Sequence, residues 1–298
     1  MDRRLQCLGA FPVHLFSRLC YNAFVAAPRE ITAKTVLVAS GITDYSVNCY
    51  VGCMHGCVYC YARFMKRFTG HEEPWGKFLD VRVNAPEVLA REVKRKRPGH
   101  VFVSSVCDGW QPIEKRYRLT RECVKILIEA GFHAGILTKS KLVTRDYDIL
   151  EGRDNCDVGC TLTTMDEHLR FVIEPGASPT WERIAALEEA CNRGIKAWAF
   201  LGPFLPGLSD TDESLDALVS AVAQLPVTHI YADKLNRRPG VWNSVAAFLR
   251  RHHPELIETY RRLFFDDAEY SAYCAELGER IRAIASARGV AGKLKAGF

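Results

Sequence analysis

The sequence predicts an α/β fold in which parallel strands alternate with helices. Three observations lead there. From about residue 78, short apolar runs alternate with stretches carrying i, i+3, i+4 apolar spacing. Glycines and capping residues punctuate the helical stretches. The recurring strand, helix and strand supply the crossover that each parallel pairing needs. Five or six such units suit a partial or complete barrel, and a doubly wound open sheet shares the same local pattern.

Strands are expected at residues 99–104, 133–138, 157–162, 195–200 and 227–232, each an apolar run short enough to be a buried strand. Helices are expected at 86–96, 120–130, 178–193 and 211–224. Gly131 and Gly194 follow two of them as stops, while Ser178-Pro179 and Ser209-Asp210-Thr211 stand as N-terminal caps, with Glu182 and Glu213 close behind. Residues 1–40 mix apolar and basic residues without a period and read as an N-terminal extension. Residues 41–240 hold the βα units. Residues 241–298 turn helical and charged, with Arg250-Arg251-His252-His253-Pro254 breaking one helix from the next. No internal repeat or low-complexity tract interrupts this order.

Composition bounds the setting. The chain has 298 residues, 48% hydrophobic and 25% charged, with a net charge of +5 and a pI near 8.6. That balance is globular, and its mild basic excess suits a polyanion or an acidic cofactor without requiring either. Arg3 and Arg4 precede a segment interrupted by Gln6, Gly9, Pro12, His14 and Arg18, so no clean apolar core of an export signal forms. No run of about 18 apolar residues is present to span a bilayer. A cytoplasmic protein with no membrane partner is therefore expected. In a reducing compartment its twelve cysteines serve as ligands where clustered, and as small buried hydrophobes where scattered, as at Cys123, Cys191 and Cys274.

The chemistry concentrates in Asn48-Cys49-Tyr50-Val51-Gly52-Cys53-Met54-His55-Gly56-Cys57-Val58-Tyr59-Cys60-Tyr61-Ala62-Arg63. Thiolates are soft, anionic ligands for iron–sulfur clusters, zinc or copper(I), and Gly52 and Gly56 give the loop freedom to bring several onto one centre. Cys53, Cys57 and Cys60, spaced CxxxCxxC, would leave one iron of a cubane without a protein ligand and open to substrate. The alternative is a structural zinc knot in which Cys49 joins the other three as a tetrahedron. Packing four ligands into twelve residues is cramped beside the paired hooks from separate segments that such sites usually use. The pair Cys156 and Cys160 runs into an expected strand and lacks further partners.

This spacing, with the aromatic Tyr59 before the last cysteine, resembles the signature of the radical S-adenosylmethionine superfamily. Further blocks are similar to the spore photoproduct lyase-like, or DNA repair photolyase-like, enzymes. They include Cys107-Asp108-Gly109-Trp110-Gln111-Pro112-Ile113-Glu114, Leu137-Thr138-Lys139-Ser140, Thr163-Thr164-Met165-Asp166, Glu174-Pro175, and Asp233-Lys234-Leu235-Asn236 with Pro239-Gly240-Val241-Trp242. The resemblance covers roughly residues 40 to 265 and selects a partial (β/α)6-type TIM barrel of parallel strands, with an N-terminal extension and C-terminal helices. It implies a [4Fe–4S] cluster on Cys53, Cys57 and Cys60, with S-adenosyl-L-methionine chelating the open iron through its amino and carboxylate groups. It also implies an external electron donor of the flavodoxin or ferredoxin type.

All but one of these blocks follow an expected strand, where a βα barrel presents its active face. The resemblance implies that Tyr59 belongs to the cofactor site, and that Lys139 and Ser140 bind the cofactor's carboxylate and ribose. Asp108 is implied as acceptor for the methionine ammonium, and Thr161 stands where the family often has a serine near the cofactor. Each of Asp108, Lys139 and Thr161 reads otherwise as a helix cap or turn residue. Where this chain has Cys49 the family usually has proline. Cys107 lies near, but offset from, a cysteine that in such lyases returns a hydrogen atom to the product, and its alternative is a buried thiol at a strand end. The runs Lys94-Arg95-Lys96-Arg97, Lys115-Arg116-Tyr117-Arg118 and Arg250-Arg251-His252-His253 would track a phosphate backbone or stand as solvated helix faces. A nucleic acid is thus one candidate substrate, a peptide or small metabolite a second, and a zinc-stabilised binding module the non-enzymatic alternative. A monomer is expected.

Overall fold

The computed structural model describes residues 27–298. Its strands are β1 (Arg29–Ile31), β2 (Leu37–Ala39), β3 (Tyr45–Val47), β4 (Tyr50–Val51), β5 (Asp80–Arg82), β6 (His100–Val103), β7 (His133–Thr138), β8 (Cys156–Leu162), β9 (Ala197–Phe204), β10 (Ile230–Lys234) and β11 (Leu294–Ala296). Eight of them form one sheet in the order β11-β10-β9-β8-β7-β6-β3-β2, and β1-β5-β4 form a small second sheet. Every pairing in the large sheet is parallel except β2 with β3. With β2 and β11 at its two edges the sheet stays open, in accord with the partial barrel and not the complete one.

Strand periodicity sorts side chains onto two faces. Ala134 and Ile136 of β7, Cys156, Val158, Cys160 and Leu162 of β8, and Ala197, Ala199 and Leu201 of β9 enter the main core, with Leu127, Leu187, Leu218 and Ile281 from helices. The opposite face carries Asp157, Gly159 and Thr161 of β8 and Trp198 and Phe200 of β9. The helices between strands are Ala85–Glu92, Leu119–Glu129, Thr180–Asn192 and Asp212–Ala223. They begin and end within a few residues of expectation.

Several local expectations change. The strand expected at 195–200 starts at Ala197 and runs on to Phe204, through a cis Gly202-Pro203 bond. Ser178 does not cap the helix Thr180–Asn192, which starts behind Pro179 without a side-chain cap. Its hydroxyl instead accepts from Lys141 N at 3.0 Å. Thr211 does cap, accepting from Ser214 N at 3.2 Å. The region after residue 240 holds helices Val241–His252, Ile257–Phe265 and Asp267–Ala287, and then returns as β11 alongside β10, a three-residue strand too short to show a period. The expected N-terminal extension contributes β1 and β2, while its first 26 residues lie outside the described residues.

One close approach fixes this second face of the sheet. A Cβ at Gly159 would stand 2.5 Å from Cε2 of Trp198. That indole is held in place by its Nε1–H, which donates to Asp157 Oδ1 at 2.7 Å. Gly159→Ala therefore overpacks a braced ring and is expected to cost about 1–3 kcal/mol. A lower denaturant midpoint at unchanged slope would show it, and an unchanged midpoint would contradict this packing.

Candidate active site

The cysteine loop leaves β4 and is tied down at nearly every turn. Gly56 N donates to Cys53 O at 3.2 Å and Cys60 N to Cys57 O at 3.3 Å, while Val58 N reaches Ile173 O at 2.9 Å. Gly176 N donates to His55 O at 3.0 Å, and Met54 N to Gln111 Oε1 at 2.7 Å. Gly52 and Gly56 both adopt positive φ, +91° and +63°, so the freedom expected of them is used. At Gly76 a Cβ would fall 2.8 Å from Gly56 Cα, so the segment around residue 76 presses directly on the loop.

Cys53 and Cys57 are buried and Cys60 is partly so. Burial pushes the Cys57 thiol up to about 12, against the pull of Lys139, and raises Cys53 and Cys60 as well. Such thiols are poor surface nucleophiles. As thiolates they need a positive centre to offset desolvation, which a metal group supplies directly. Cys49 is turned away: it packs in the main core with its Sγ 3.5 Å from Cys123 Sγ. The four-cysteine knot is therefore not assembled, and Cys49 is a packing residue. Among the described residues no three Cys, His, Asp or Glu side chains converge closely enough to share one ion. A cubane places its thiolates on separate irons and asks for no such convergence. Buried N–H groups without acceptors on Trp75 and Gln111 also face this region, as suits an anionic group.

Tyr59 anchors the loop to the barrel. Its hydroxyl donates to Glu174 Oε1 and lies 3.1 Å from Thr163 Oγ1, which itself donates to the same carboxylate oxygen at 2.7 Å. Glu174 is paired with Arg183, both fully buried. The guanidinium also donates to Thr161 O at 2.9 Å and Ser178 O at 2.7 Å. Burial would raise Glu174, but Arg183 and Lys139 overcome it and hold the carboxyl at about 2.

Asp108 follows β6 and is buried. Its carboxylate accepts from Thr138 Oγ1 at 2.7 Å, Lys139 N at 2.8 Å and Trp110 N at 2.9 Å, and sits 3.3 Å from His55 Nδ1. Burial opposes ionisation, and His55 with these donors more than compensates, placing the group below the usual carboxylate range. Through these contacts Asp108 joins the loops after β6 and β7 to the cysteine loop. Lys139 is partly buried with Nζ 5.8 Å from the centre of the Tyr59 ring. Burial lowers its pKa, but Cys57 and Glu174 raise it further, so the ammonium stays charged. Ser140 accepts from Leu142 N at 3.2 Å, capping the turn that follows it. Thr161 is buried beneath Arg183.

Cys107 packs partly buried beside Cys60 and Tyr61, with its Sγ 3.7 Å from Asn48 Oδ1. Asn48 also accepts from Val106 N at 3.0 Å and donates to Ser105 Oγ at 3.2 Å, which fastens the loop after β6 to the start of the cysteine segment. Past β10, a surface cavity of about 340 Å³ is lined by Asp233, Lys234, Asn236, Arg237, Arg238 and Tyr270. The Arg238 guanidinium lies 5.9 Å from the Tyr61 ring, so this cavity borders the cysteine segment.

Sequence alone assigns no role to Glu174, Arg183, Asn48 or Trp75. Arg183 left a signal: it occupies the buried stripe of its helix with Ala186, Leu187 and Ala190, where an arginine requires a buried anion.

Comparison with known proteins accords with this geometry. A family model described as Radical SAM superfamily matches residues 47–219, more than half of the chain. An uncharacterized protein of Methanocaldococcus jannaschii is 38% identical over 168 residues, covering 56% of this chain and 63% of that one. An uncharacterized protein of Mycobacterium tuberculosis is 30% identical over 228 residues, 74% of this chain and 67% of that one. The chain thus spans about two thirds of the length of these relatives. Spore photoproduct lyase complexed with dinucleoside spore photoproduct shares the fold at a TM-score of 0.66 and 14% identity, over 90% of this chain and 81% of that one. A variant of that lyase with bound AdoMet and dinucleoside spore photoproduct gives 0.68 at 13% identity over the same shares. A cysteine loop of this spacing, set on an open parallel sheet and matched through most of that sheet, places the chain in the radical SAM superfamily.

Proposed function

We propose that Cys53, Cys57 and Cys60 hold a [4Fe–4S] cluster that binds S-adenosyl-L-methionine at its open iron, and that the protein is a hydrogen-transfer or lyase enzyme acting on nucleic acid. When bound and reduced by an external flavodoxin- or ferredoxin-type donor, this group supplies reductive cleavage of the sulfonium to a 5′-deoxyadenosyl radical. The observation that carries the reading is the separation of the cysteines: two buried thiols and a partly buried one share the loop, while Cys49 is turned into the core against Cys123.

The chain's own residues serve this chemistry in distinct ways. Lys139 keeps a charged ammonium beside Cys57 and suits a carboxylate partner, and no described side chain accepts a hydrogen bond from its Nζ. The Ser140 hydroxyl keeps its proton to donate to a ribose, since its oxygen only accepts within the protein. Asp108 acts indirectly, holding Lys139 and His55 in register. Burial keeps the Cys107 thiol protonated, pushed up to about 12, so an S–H bond is available beside Tyr61 to return a hydrogen atom.

Support for a nucleic-acid substrate comes from three features. The cavity carrying Lys234, Arg237 and Arg238 adjoins Tyr61. Lys115, Arg116 and Arg118 stand exposed, as do Arg250 and Arg251. The structures of like fold carry a dinucleoside lesion.

Anaerobically purified protein is expected to be brown with about four iron and four sulfide per chain. Cys53→Ala should lose iron and colour while Cys49→Ala retains both. Retention by Cys53→Ala, or zinc in the wild type, would contradict the assignment. Binding to oligonucleotides is expected to weaken steeply with salt, and no binding at low salt would remove the nucleic-acid reading. Cys107→Ala is expected to alter product partition without stopping 5′-deoxyadenosine release, and unaltered products would strip Cys107 of its role.

A further inference from the structure

Buried polar groups in folded proteins almost always find hydrogen-bond partners, so those that do not call for a reason. Among the described residues six buried side-chain atoms lack one: Arg63 Nε, Trp75 Nε1, Ser104 Oγ, Gln111 Nε2, Ser220 Oγ and Tyr260 OH. Hydroxyls can turn to suit local partners, but the three nitrogens are donors only, with nothing to offer but N–H. All three nitrogens lie against the cysteine loop.

Each is held in place by other contacts. The Trp75 ring packs in one apolar cluster with Cys53 and Cys60, and Phe78 braces it edge-on at 5.9 Å between ring centres. No protein acceptor completes a hydrogen bond with its N–H. Gln111 is fully buried and its Oε1 accepts from Met54 N at 2.7 Å, inside the CxxxC turn. That contact fixes the amide's orientation, since the reversed amide would set N–H against N–H, and it leaves Nε2 unanswered. Arg63 donates from Nη2 to Cys57 O at 2.8 Å, and its Nε is left over.

Donors so placed need an acceptor that is anionic and close to the three thiols. Sulfide and thiolate sulfurs of an iron–sulfur group meet that description. Hydrogen bonds to such sulfurs favour the form with one more electron, because the added negative charge spreads over the sulfurs. We infer that Trp75, with Gln111 and Arg63, donates hydrogen bonds to sulfurs of the cluster, and that these donors raise its reduction potential and ease electron entry. The inference rests on the reading that Cys53, Cys57 and Cys60 carry a [4Fe–4S] cluster. The three residues tune and position that group and are not themselves reactants.

The test is an anaerobic redox titration followed by electron paramagnetic resonance, with iron and sulfide counted on each sample. Trp75→Phe keeps an aromatic ring in the pocket and removes the N–H. It is expected to hold the wild-type iron content with a midpoint lowered by about 59 mV, a tenfold loss of reduced form at fixed ambient potential for one electron. Ser220→Ala removes an unpartnered atom on the helix Asp212–Ala223 and should leave the midpoint unchanged. A loaded Trp75→Phe protein that titrates as wild type would overturn the inference. If Trp75→Phe fails to load, Arg63→Lys decides: it keeps a cation able to reach Cys57 O and removes the Nε donor, and an unchanged midpoint there would overturn the inference equally. Wild-type protein lacking four iron and sulfide would instead overturn the cluster assignment, and the iron count separates that failure from a failure of tuning.

Discussion

The hydrogen bond from Tyr59 to Glu174, backed by the Glu174–Arg183 ion pair, joins the cysteine loop to the sheet. Tyr59 stands between Cys57 and Cys60, so any shift of its phenol carries both sulfurs with it. Glu174 and Arg183 are fully buried, where removing one partner of a pair typically costs about 3–5 kcal/mol by stranding the other charge. The arrangement tolerates that burial because few polar groups in it are left unanswered. Thr163 satisfies the carboxylate, while the carbonyls of Thr161 and Ser178 satisfy the guanidinium. One side-chain network thus spans the loop, the end of β8 and the helix Thr180–Asn192.

A second buried carboxylate does matching work on the other side of the loop. Asp108 gathers His55 from the cysteine segment, Thr138 and Lys139 from the end of β7, and the turn at Trp110. Glu114 extends the same logic outward, accepting from Tyr50 and from the backbone at Thr120 and Arg121, where the helix Leu119–Glu129 begins. The loops at the strand ends are therefore rigid for a reason that can be named residue by residue. Rigidity of this kind is what a group liable to water and to competing hydrogen donors requires of its protein.

Much of this was legible in the sequence, and the limits follow from physics. The helical stretch 120–130 exposes its period directly, the short apolar run 133–138 stands out between its flanks, and the glycines at 131 and 194 mark real stops. Strands of two or three residues, such as β4, β5 and β11, carry no period to read, and they form only because neighbouring segments offer them a ladder. The apolar run at 195–200 does not mark where β9 stops, which is at Phe204. At the site, the CxxxCxxC spacing was legible because ligand spacing is local. The Asp108 and Glu174 networks were not, since apart from Trp110 their partners lie 9 to 115 residues away in sequence. The fate of Cys49 belongs to the same class, decided by Cys123 on a distant helix and not by the cysteines beside it.

The proposed chemistry requires a cubane with one iron free of protein sulfur. Mössbauer spectroscopy of protein loaded anaerobically with iron-57, recorded before and after adding S-adenosyl-L-methionine, tests that claim most directly. The expected result is a four-iron cluster in which one iron changes its signal on addition while three do not. A spectrum with no cluster, or one in which all four irons ignore the added compound, would contradict it.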